Sequence, residues 1–387
     1  MKQITVRNLG QLAQADITFG DMTVFVGPQA SGKSIFLQLI KLSLDFQNIS
    51  QTLKKHGFHW QNSKDFLHLY FGEGMREIWN DKTFIQVDNQ ELNLEKLLAQ
   101  RKNKKPESLF LIPAHRVMTL MTGWPRPFTN YETGDPYVVK QFSENIRQLM
   151  DAGLGSGEGP IFPQVGKMNK SIRDAIDNSV FWGAQVTLDR RDGMRKRIVL
   201  KIGSSDLPLM SWSAGQREFV PLLMGLYWLL PSSKISKREN IEWIVIEEPE
   251  MGLHSQAISA LLISFLELMH RGYKVIISTH SPQILEMIWA IQNLSQSKAA
   301  AETVLKMFGL QKSKSLLELS NDILENKSFK TYFFSRQNEF VTAKDISSLD
   351  PGDLDDHVSD WGGLTSFSTK ASEIVAKAIA EGEYESE

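Results

Sequence analysis

A glycine-rich turn within residues 22–42 constrains the fold more than any other part of the sequence. Residues 23–26 before it are β-branched or aromatic and predict a short buried strand. Residues 35–40 after it predict a helix that packs on a sheet. Between these two stretches stand Gly27, Pro28, Gln29, Ala30, Ser31, Gly32, Lys33 and Ser34. This is the strand–GxxxxGK[ST]–helix pattern of a phosphate-binding loop.

The fixed residues of this pattern each have a physical role in holding a polyphosphate. Gly27 and Gly32 allow tight backbone turns that point successive N–H groups inward. The helix that begins near Lys33 adds the positive end of its dipole. Lys33 can reach the β- and γ-phosphates, and the Ser34 hydroxyl can bind Mg²⁺. A chance glycine-rich turn is the alternative, but here both flanks have the required strand and helix patterns.

A second set of candidate residues follows the apolar residues 244–246, in the order Glu247-Glu248-Pro249-Glu250. Carboxylates at the C-terminal end of a buried strand lie where α/β sheets bind their ligands. Glu247 is a candidate oxygen ligand for a hard cation. Glu248 is a candidate base that orients a water molecule against a terminal phosphate. An exposed acidic turn is the alternative, and the phosphate-binding loop makes it the weaker one.

His280 follows another apolar stretch, residues 274–278, and one helical stretch separates it from the acidic residues. The two strand ends should therefore meet at one edge of the sheet. A single histidine in such a place is more often a satisfied polar group than a catalyst. Because of the expected neighbours, we favour an imidazole that donates to the γ-phosphate.

A helical stretch opens with the small or polar residues Ser213, Ala214, Gly215 and Gln216. The simpler interpretation is an N-cap at Ser213, which stabilises a helix by about 1 kcal/mol. The functional interpretation is a second helix start that faces a phosphate. Lys33 and Glu248 already surround the first nucleotide, so this second helix start would serve a nucleotide held by another subunit.

Composition restricts the remaining function classes. The chain has 387 residues, 42% of them hydrophobic, with a formal net charge of −2 that does not indicate nucleic-acid binding by itself. Cysteine is absent, which excludes disulfides and thiol chemistry and suits a cytoplasmic location. We find neither a signal-peptide pattern nor an apolar run of about 18 residues, so no membrane association is expected.

The order of predicted strands and helices indicates an α/β fold with a mostly parallel central sheet. Residues 3–6 and 14–26 add an N-terminal antiparallel portion. We predict an ATPase-like domain over residues 1–345, with an insertion at about 51–105 and a helical lobe at about 118–235. Residues 346–387 form an acidic C-terminal tail.

These motifs, in this order, resemble those of the ABC-type ATPase heads of the SMC, RecF and OLD group. GPQASGKS resembles the Walker A motif, WSAGQRE the signature motif, IVIEEPE the Walker B motif, and STH the switch histidine. MGLHSQ resembles the D-loop region, and LIPAHR resembles the segment after the Q-loop strand. The resemblance implies a P-loop NTPase fold that binds ATP and Mg²⁺.

Several residues depart from the pattern of that group. Glu247 stands where most ABC proteins have Asp, and the OLD-like branch often has Glu at this position. Ala214 replaces a signature glycine. The Q-loop residue is unassigned, with Gln61, Gln141 and His115 as candidates. No long coiled coil separates the Walker A and signature motifs, and the stretch after His280 is short for a TOPRIM nuclease.

The resemblance implies an ATPase that assembles head-to-tail as a dimer or larger homo-oligomer. Lys33, Glu248 and His280 would be catalytic, and Ser34 and Glu247 would hold Mg²⁺. Nucleotide state would control a separate effector such as a nuclease, in anti-phage defence or DNA maintenance. The alternatives are a slow or inactive nucleotide-dependent scaffold and a DNA-binding repair ATPase. DNA contact would use the basic residues Arg190, Arg191, Arg195, Lys196 and Arg197; a transporter subunit is a weaker alternative.

Overall fold

The computed structural model describes residues 1–99, 105–120, 122–154, 159–189, 196–230 and 237–384. Two sheets organise this part of the chain. Their strands, in chain order, are β1 Gln3–Leu9, β2 Leu12–Thr18, β3 Met22–Val26, β4 Phe84–Val87, β5 Gln90–Glu91, β6 Leu109–Ile112, β7 Gln185–Asp189, β8 Arg197–Ile202, β9 Ser205–Pro208, β10 Trp243–Glu247, β11 Lys274–Ser278, β12 Phe329–Gln337 and β13 Phe340–Asp345.

Helices connect the strands and cover the sheet. They are α1 Lys33–Lys55, α2 Ser63–Phe71, α3 Leu94–Ala99, α4 Tyr137–Asp151, α5 Lys170–Ile176, α6 Ala214–Leu229, α7 Ser255–His270, α8 Pro282–Gln296, α9 Ala301–Met307, α10 Lys314–Asn326, α11 Asp356–Ser359 and α12 Ser366–Tyr384. None of the described helices is long and apolar enough to span a membrane.

The large sheet has the strand order β5-β4-β1-β2-β13-β12-β3-β11-β10-β6. Its five strands from β12 to β6 all pair in parallel, whereas β1, β2, β4 and β5 pair antiparallel among themselves. The predicted α/β architecture, with a mostly parallel centre and an N-terminal antiparallel portion, is confirmed. The strands β7, β8 and β9 form a separate antiparallel sheet, within the segment predicted as a helical lobe.

Hydrophobic cores lie on both faces of the central strands. In β3, Val24 and Val26 belong to one core and Phe25 to the other, since successive side chains of a strand point to opposite faces. The strand β10 alternates in the same way, with Ile246 in the first core and Val245 in the second. Burial on both faces explains why these strands are apolar runs rather than alternating patterns.

The sheet order determines which strand ends meet. The strand β11 lies between β3 and β10, and the register places Glu247 opposite Ser278. The phosphate-binding loop, the acidic residues and His280 therefore leave the sheet at the same edge, as the order of strands in the sequence predicts.

The long strands β12 and β13 were among those that the sequence did not predict. The antiparallel pair β12 and β13 lies between β2 and β3 in the sheet. The strand β13 pairs in parallel with β2, and β12 pairs in parallel with β3. Because β12 lies about 300 residues from β3 in the sequence, local patterns did not show that it belongs beside the phosphate-binding loop.

The predicted domain borders remain predictions, and the structure shows what lies in each segment. The 51–105 segment contains α2, α3 and the short strands β4 and β5. In the predicted tail, Leu349 and Trp361 are buried in the first core, whereas α12 is exposed along most of its length. Arg190, Arg191 and Arg195 of the predicted basic segment lie outside the described residues.

Candidate functional site

The phosphate loop, residues 27–34, has the backbone conformation that its glycines predict. Gly27 has φ 147°, and a Cβ there would lie 2.6 Å from the Phe334 carbonyl oxygen on β12. Gly32 has φ 80° and is the N-cap of α1, with no side chain bonded to the amides of the first turn. These amides, at the positive end of a 23-residue helix, are available to an anion.

Lys33 folds back over the loop to which it belongs. Its Nζ donates to the carbonyl oxygens of Gly27 at 2.8 Å and Pro28 at 2.9 Å, and to Ser31 Oγ at 3.3 Å. Burial lowers the pKa of Lys33 to about 8, and the Glu248 and Glu250 carboxylates counteract this. The ammonium group therefore lies inside the loop with a negative region facing it.

Glu247, the last residue of β10, is buried with one oxygen unpaired. Its Oε2 accepts the Ala114 N–H at 3.0 Å, and its Oε1 has no hydrogen-bond partner. Burial raises the pKa of Glu247 to about 7, while the Ala114 N–H and the Ser34 hydroxyl act in the opposite direction. A buried carboxylate oxygen without a donor, close to a hydroxyl, is a fitting oxygen ligand for Mg²⁺.

Glu248 begins a sharp turn at the edge of the sheet. It has φ 42°, a left-handed conformation that is strained for a residue with a long side chain. Its N–H donates to the Ser278 carbonyl at 2.9 Å, and its Oε1 lies 3.6 Å from His280 Nε2. Both side chains are about 30% exposed. The structure thus brings together the predicted base and the predicted switch histidine at a surface that solvent reaches.

A cavity of about 660 Å³ connects these groups. Its lining includes Gln29 to Ser34 of the phosphate loop, Glu248 and His280. Two further segments that were not predicted from the sequence also line it: the β1–β2 turn, with Gly10 and Gln11, and the segment after α2, with Gly74, Met75, Glu77 and Ile78. Isolated polar and apolar residues of this kind give no local signal of their location.

The signature segment, residues 213–216, forms a complete helix cap away from this cavity. Ser213 Oγ accepts the Gln216 N–H at 3.2 Å, and Gln216 Oε1 accepts the Ser213 N–H at 3.2 Å, a reciprocal capping box. Ser213 and Ala214 are exposed, and none of the four residues lines the cavity. A Cβ on Gly215 would lie 2.7 Å from the Gly252 carbonyl oxygen, which explains the need for glycine there.

Two residues beside the site had no assigned role in the sequence. Arg116 is fully buried behind the acidic residues, and Glu250 contacts the backbone of His280. Of the three Q-loop candidates, Gln61 is exposed, and Gln141 donates to Asn145 on α4. His115 adjoins Ala114, whose N–H holds Glu247. His115 is therefore the candidate that adjoins the acidic residues.

The residues present fit both predicted cofactors. Uncapped amides at α1 and the Lys33 ammonium suit the phosphates of a nucleotide. The unpaired Glu247 oxygen suits a metal ion that takes its other ligands from phosphate and water. Among the described residues, no group of three or more His, Asp or Glu side chains forms a protein-only metal cage. An ion held by one or two protein ligands plus phosphates is the usual arrangement for Mg²⁺.

A parallel sheet with a phosphate loop after one strand and paired carboxylates after its second neighbour defines the P-loop NTPase fold. A family profile described as "AAA domain, putative AbiEii toxin, Type IV TA system" matches residues 139–286. The chain is 34% identical over 199 residues to the Old nuclease of Escherichia phage P2, covering 48% of this chain and 33% of that protein. The chain therefore spans about a third of the length of that curated relative.

Two solved structures are also similar. An SMC head bound to the C-winged helix domain of ScpA aligns with a TM-score of 0.45 and 9% identity, over 89% of this chain and 97% of that chain. The SMC head domain from Thermotoga maritima aligns with a TM-score of 0.38 and 12% identity, over 89% and 98% respectively. The resemblance to the OLD-type ATPase group, first seen in the motifs, is confirmed by the match to the Old nuclease.

Proposed function

We propose that this chain is a Mg²⁺-dependent ATPase that closes its nucleotide site by head-to-tail assembly. One protomer would contribute the phosphate loop, Glu247, Glu248 and His280. A second protomer would contribute its signature segment. Nucleotide binding would join the two protomers, and hydrolysis would separate them.

The observation that carries this proposal is the separation of the signature segment from the cavity. Its capped helix start is exposed, yet no residue of it lines the cavity that contains Lys33, Glu248 and His280. An exposed helix start with small residues is suited to a phosphate that comes from another molecule. A second copy of the same chain, with a nucleotide bound at its phosphate loop, would present such a phosphate.

The chemical roles follow from the positions of the side chains. The loop amides and Lys33 would hold the phosphates, and Ser34 with Glu247 would hold Mg²⁺, which neutralises phosphate charge when bound. Glu248 would orient and deprotonate the attacking water, since its carboxylate is partly exposed at the cavity wall. His280, whose Nε2 lies 3.6 Å from Glu248 Oε1, would donate to the terminal phosphate.

We further propose that nucleotide state controls a separate effector protein in anti-phage defence. The support is the family description, which mentions a putative toxin, and the matching nuclease, which is a phage protein. Both are statements about relatives, so this role depends on analogy. A repair role with DNA contact is the second interpretation that the sequence suggested.

The test compares Glu248→Gln with wild type and with Glu286→Gln, an exposed glutamate on α8. Loss of a general base should reduce ATP hydrolysis by about 10²- to 10⁴-fold. The variant should retain ATP and shift to a larger species with Mg²⁺·ATP, as measured by light scattering. Glu286→Gln should behave like wild type.

Other outcomes separate the alternatives. Assembly without hydrolysis in wild type would favour the nucleotide-dependent scaffold. If Glu248→Gln hydrolyses ATP and assembles like wild type, the catalytic assignment is wrong.

A further inference from the structure

Arg116 is a fully buried arginine whose guanidinium bonds to two separate elements of the site. It lies in the short 3₁₀ segment Ala114–Leu120 that follows β6, and it is 0% exposed. Its Nη1 donates to the Glu247 carbonyl at 2.9 Å and its Nη2 to the Glu248 carbonyl at 3.1 Å. Its Nε donates to the Glu218 carbonyl at 3.1 Å. All three guanidinium nitrogens therefore hold main-chain oxygens.

The first pair of bonds supports a strained backbone. Glu248 adopts φ 42°, which such a residue maintains only when its surroundings fix it. Arg116 holds the carbonyl groups of Glu247 and Glu248, and Ser278 accepts the Glu248 N–H at 2.9 Å. The direction of the Glu248 side chain towards His280 thus depends on Arg116.

The third bond reaches the helix that carries the signature segment. Glu218 lies on α6, five positions after Ser213. The start of α6 also packs against the residues that follow Glu248, because an added Cβ on Gly215 would meet the Gly252 carbonyl oxygen at 2.7 Å. Arg116 joins α6 to the acidic turn, residues 247–250, and the close contact joins the start of α6 to Gly252, two residues after that turn.

Lysine cannot reproduce this arrangement. A planar guanidinium presents five N–H groups in a fixed fork, whereas an ammonium is a single point of charge. The Glu218 carboxylate lies 3.8 Å from Arg116 Nη2, so the charge is also partnered in the interior. Arg116→Lys would keep the charge and lose the simultaneous bonds to both elements.

We infer that Arg116 is a positioning residue that makes the acidic turn and the start of α6 move as one unit. The nucleotide site of a protomer and the signature segment that it offers to a second protomer then change together. This inference rests on the proposed function for its consequence, which is coupling between the two sites of an assembly. The physical link itself is a property of the single chain.

Amide hydrogen exchange on the nucleotide-free protein tests the link without any activity. Arg116→Lys should accelerate exchange in two separate peptides, one over residues 247–253 and one over residues 214–218. Arg147→Lys, which alters an arginine paired with Glu144 and Asp151 on the surface of α4, should accelerate neither. Acceleration in only one of the two peptides, or in neither, would overturn the inference. If Arg116→Lys does not fold, Arg116→Gln, which keeps an amide donor group without the charge, replaces it.

Mixed assemblies test the coupling. Each of two mixed assemblies pairs a protomer that has an intact Lys33 with a Lys33→Ala protomer. Only one functional nucleotide site remains in each, because Lys33→Ala abolishes binding at the other site. In the first type, the protomer with the intact phosphate loop carries Arg116→Lys, so that the acidic turn of the working site is affected. In the second type, the Lys33→Ala protomer carries Arg116→Lys, so that only the signature segment facing the working site is affected. Compared with a Lys33→Ala/wild-type assembly, both should lose hydrolysis by about 10- to 100-fold with KM little changed.

A loss in the first assembly alone would show that Arg116 acts only on its own acidic turn, which would refute the coupling. Failure of wild type to bind ATP or to assemble would refute the proposed function and its consequence here. The exchange result would still decide whether the physical link exists.

Discussion

Glu250 Oε1 accepts the backbone N–H of His280 at 2.7 Å. The same oxygen accepts the Thr279 hydroxyl at 2.7 Å, and Glu250 Oε2 is buried without a partner. A charged acceptor strengthens both bonds. The turn that follows β10 is therefore fastened to the end of β11, which sets where the imidazole of His280 lies.

We expect Glu250→Ala to reduce the rate of ATP hydrolysis by about 10²-fold through misplacement of His280. Nucleotide affinity should change little because Glu250 does not line the cavity. Glu250→Gln, which keeps an acceptor oxygen, is the matched control and should lose less. Combining Glu250→Ala with His280→Ala should cost less than the sum of the single effects, since one residue acts through the other. Additive losses would contradict this relationship.

Glu247→Gln should stabilise the metal-free protein at neutral and higher pH. Burial raises the pKa of Glu247 to about 7 in the folded state. A raised carboxyl pKa contributes stability that is fully present below the unfolded value and is lost as pH rises through about 7. The difference in free energy of unfolding between variant and wild type should be small at low pH and reach about 3 kcal/mol above neutrality.

Urea titrations across that pH range measure this difference. Nucleotide binding by Glu247→Gln should in turn lose its dependence on Mg²⁺, as measured by titration with and without EDTA. An equal stability gain at all pH values would contradict the pH argument. Preserved Mg²⁺ dependence would remove Glu247 from the proposed metal site.

Gly215→Ala should destabilise the chain by about 1–3 kcal/mol, because the added methyl group meets a backbone oxygen that cannot rotate away. The start of α6 must shift to relieve this contact, so ATP-dependent assembly should weaken as well. Ala214→Ser, at the exposed neighbouring position, is the control and should stay within about 0.5 kcal/mol of wild type. Thermal unfolding and light scattering are the measurements. Unchanged unfolding of Gly215→Ala would show that the contact is not rigid.

Lys41→Met should destabilise the fold by about 3–5 kcal/mol. The buried Lys41 ammonium donates to Asp45 and Glu107 at 2.7 Å each and to the Leu109 carbonyl at 2.5 Å, which ties α1 to β6. Removing it leaves carboxylates without their cation. Adding Asp45→Asn and Glu107→Gln should recover part of the loss, whereas the exposed Lys55→Met should have little effect. Chemical denaturation of the series provides the comparison.

The local motifs allowed much of the sheet edge to be predicted from the sequence. The orientation of the loop amides near Gly32 is determined by residues adjacent in the chain. The local sequence pattern was therefore enough to predict it. The adjacency of Glu247 and His280 followed from the strand–helix–strand order, and the register of Glu247 with Ser278 agrees with it. The catalytic and metal-binding roles of these residues stay predictions that the experiments above address.

Contacts between distant segments could not be predicted in this way. Phe334 closes over Gly27 from a strand about 300 residues away, and Met75 reaches the cavity from an insertion. Arg116 is a single basic residue in the segment after β6. The residues next to it in the sequence do not indicate that its guanidinium is fully buried. Its partners are carbonyl oxygens, which every residue has, so no pattern of residue types reveals the contact.

The bonds from Lys33 to Gly27 and Pro28 mean that the phosphate loop is already shaped before any nucleotide arrives. The Lys33 ammonium bonds these carbonyl oxygens and the Ser31 hydroxyl. In the proposed function, binding of a triphosphate would be an exchange of partners, in which the ammonium releases two carbonyl oxygens and turns to the ligand. Little backbone ordering is required, so association should be fast and its cost should lie mainly in freeing this one side chain.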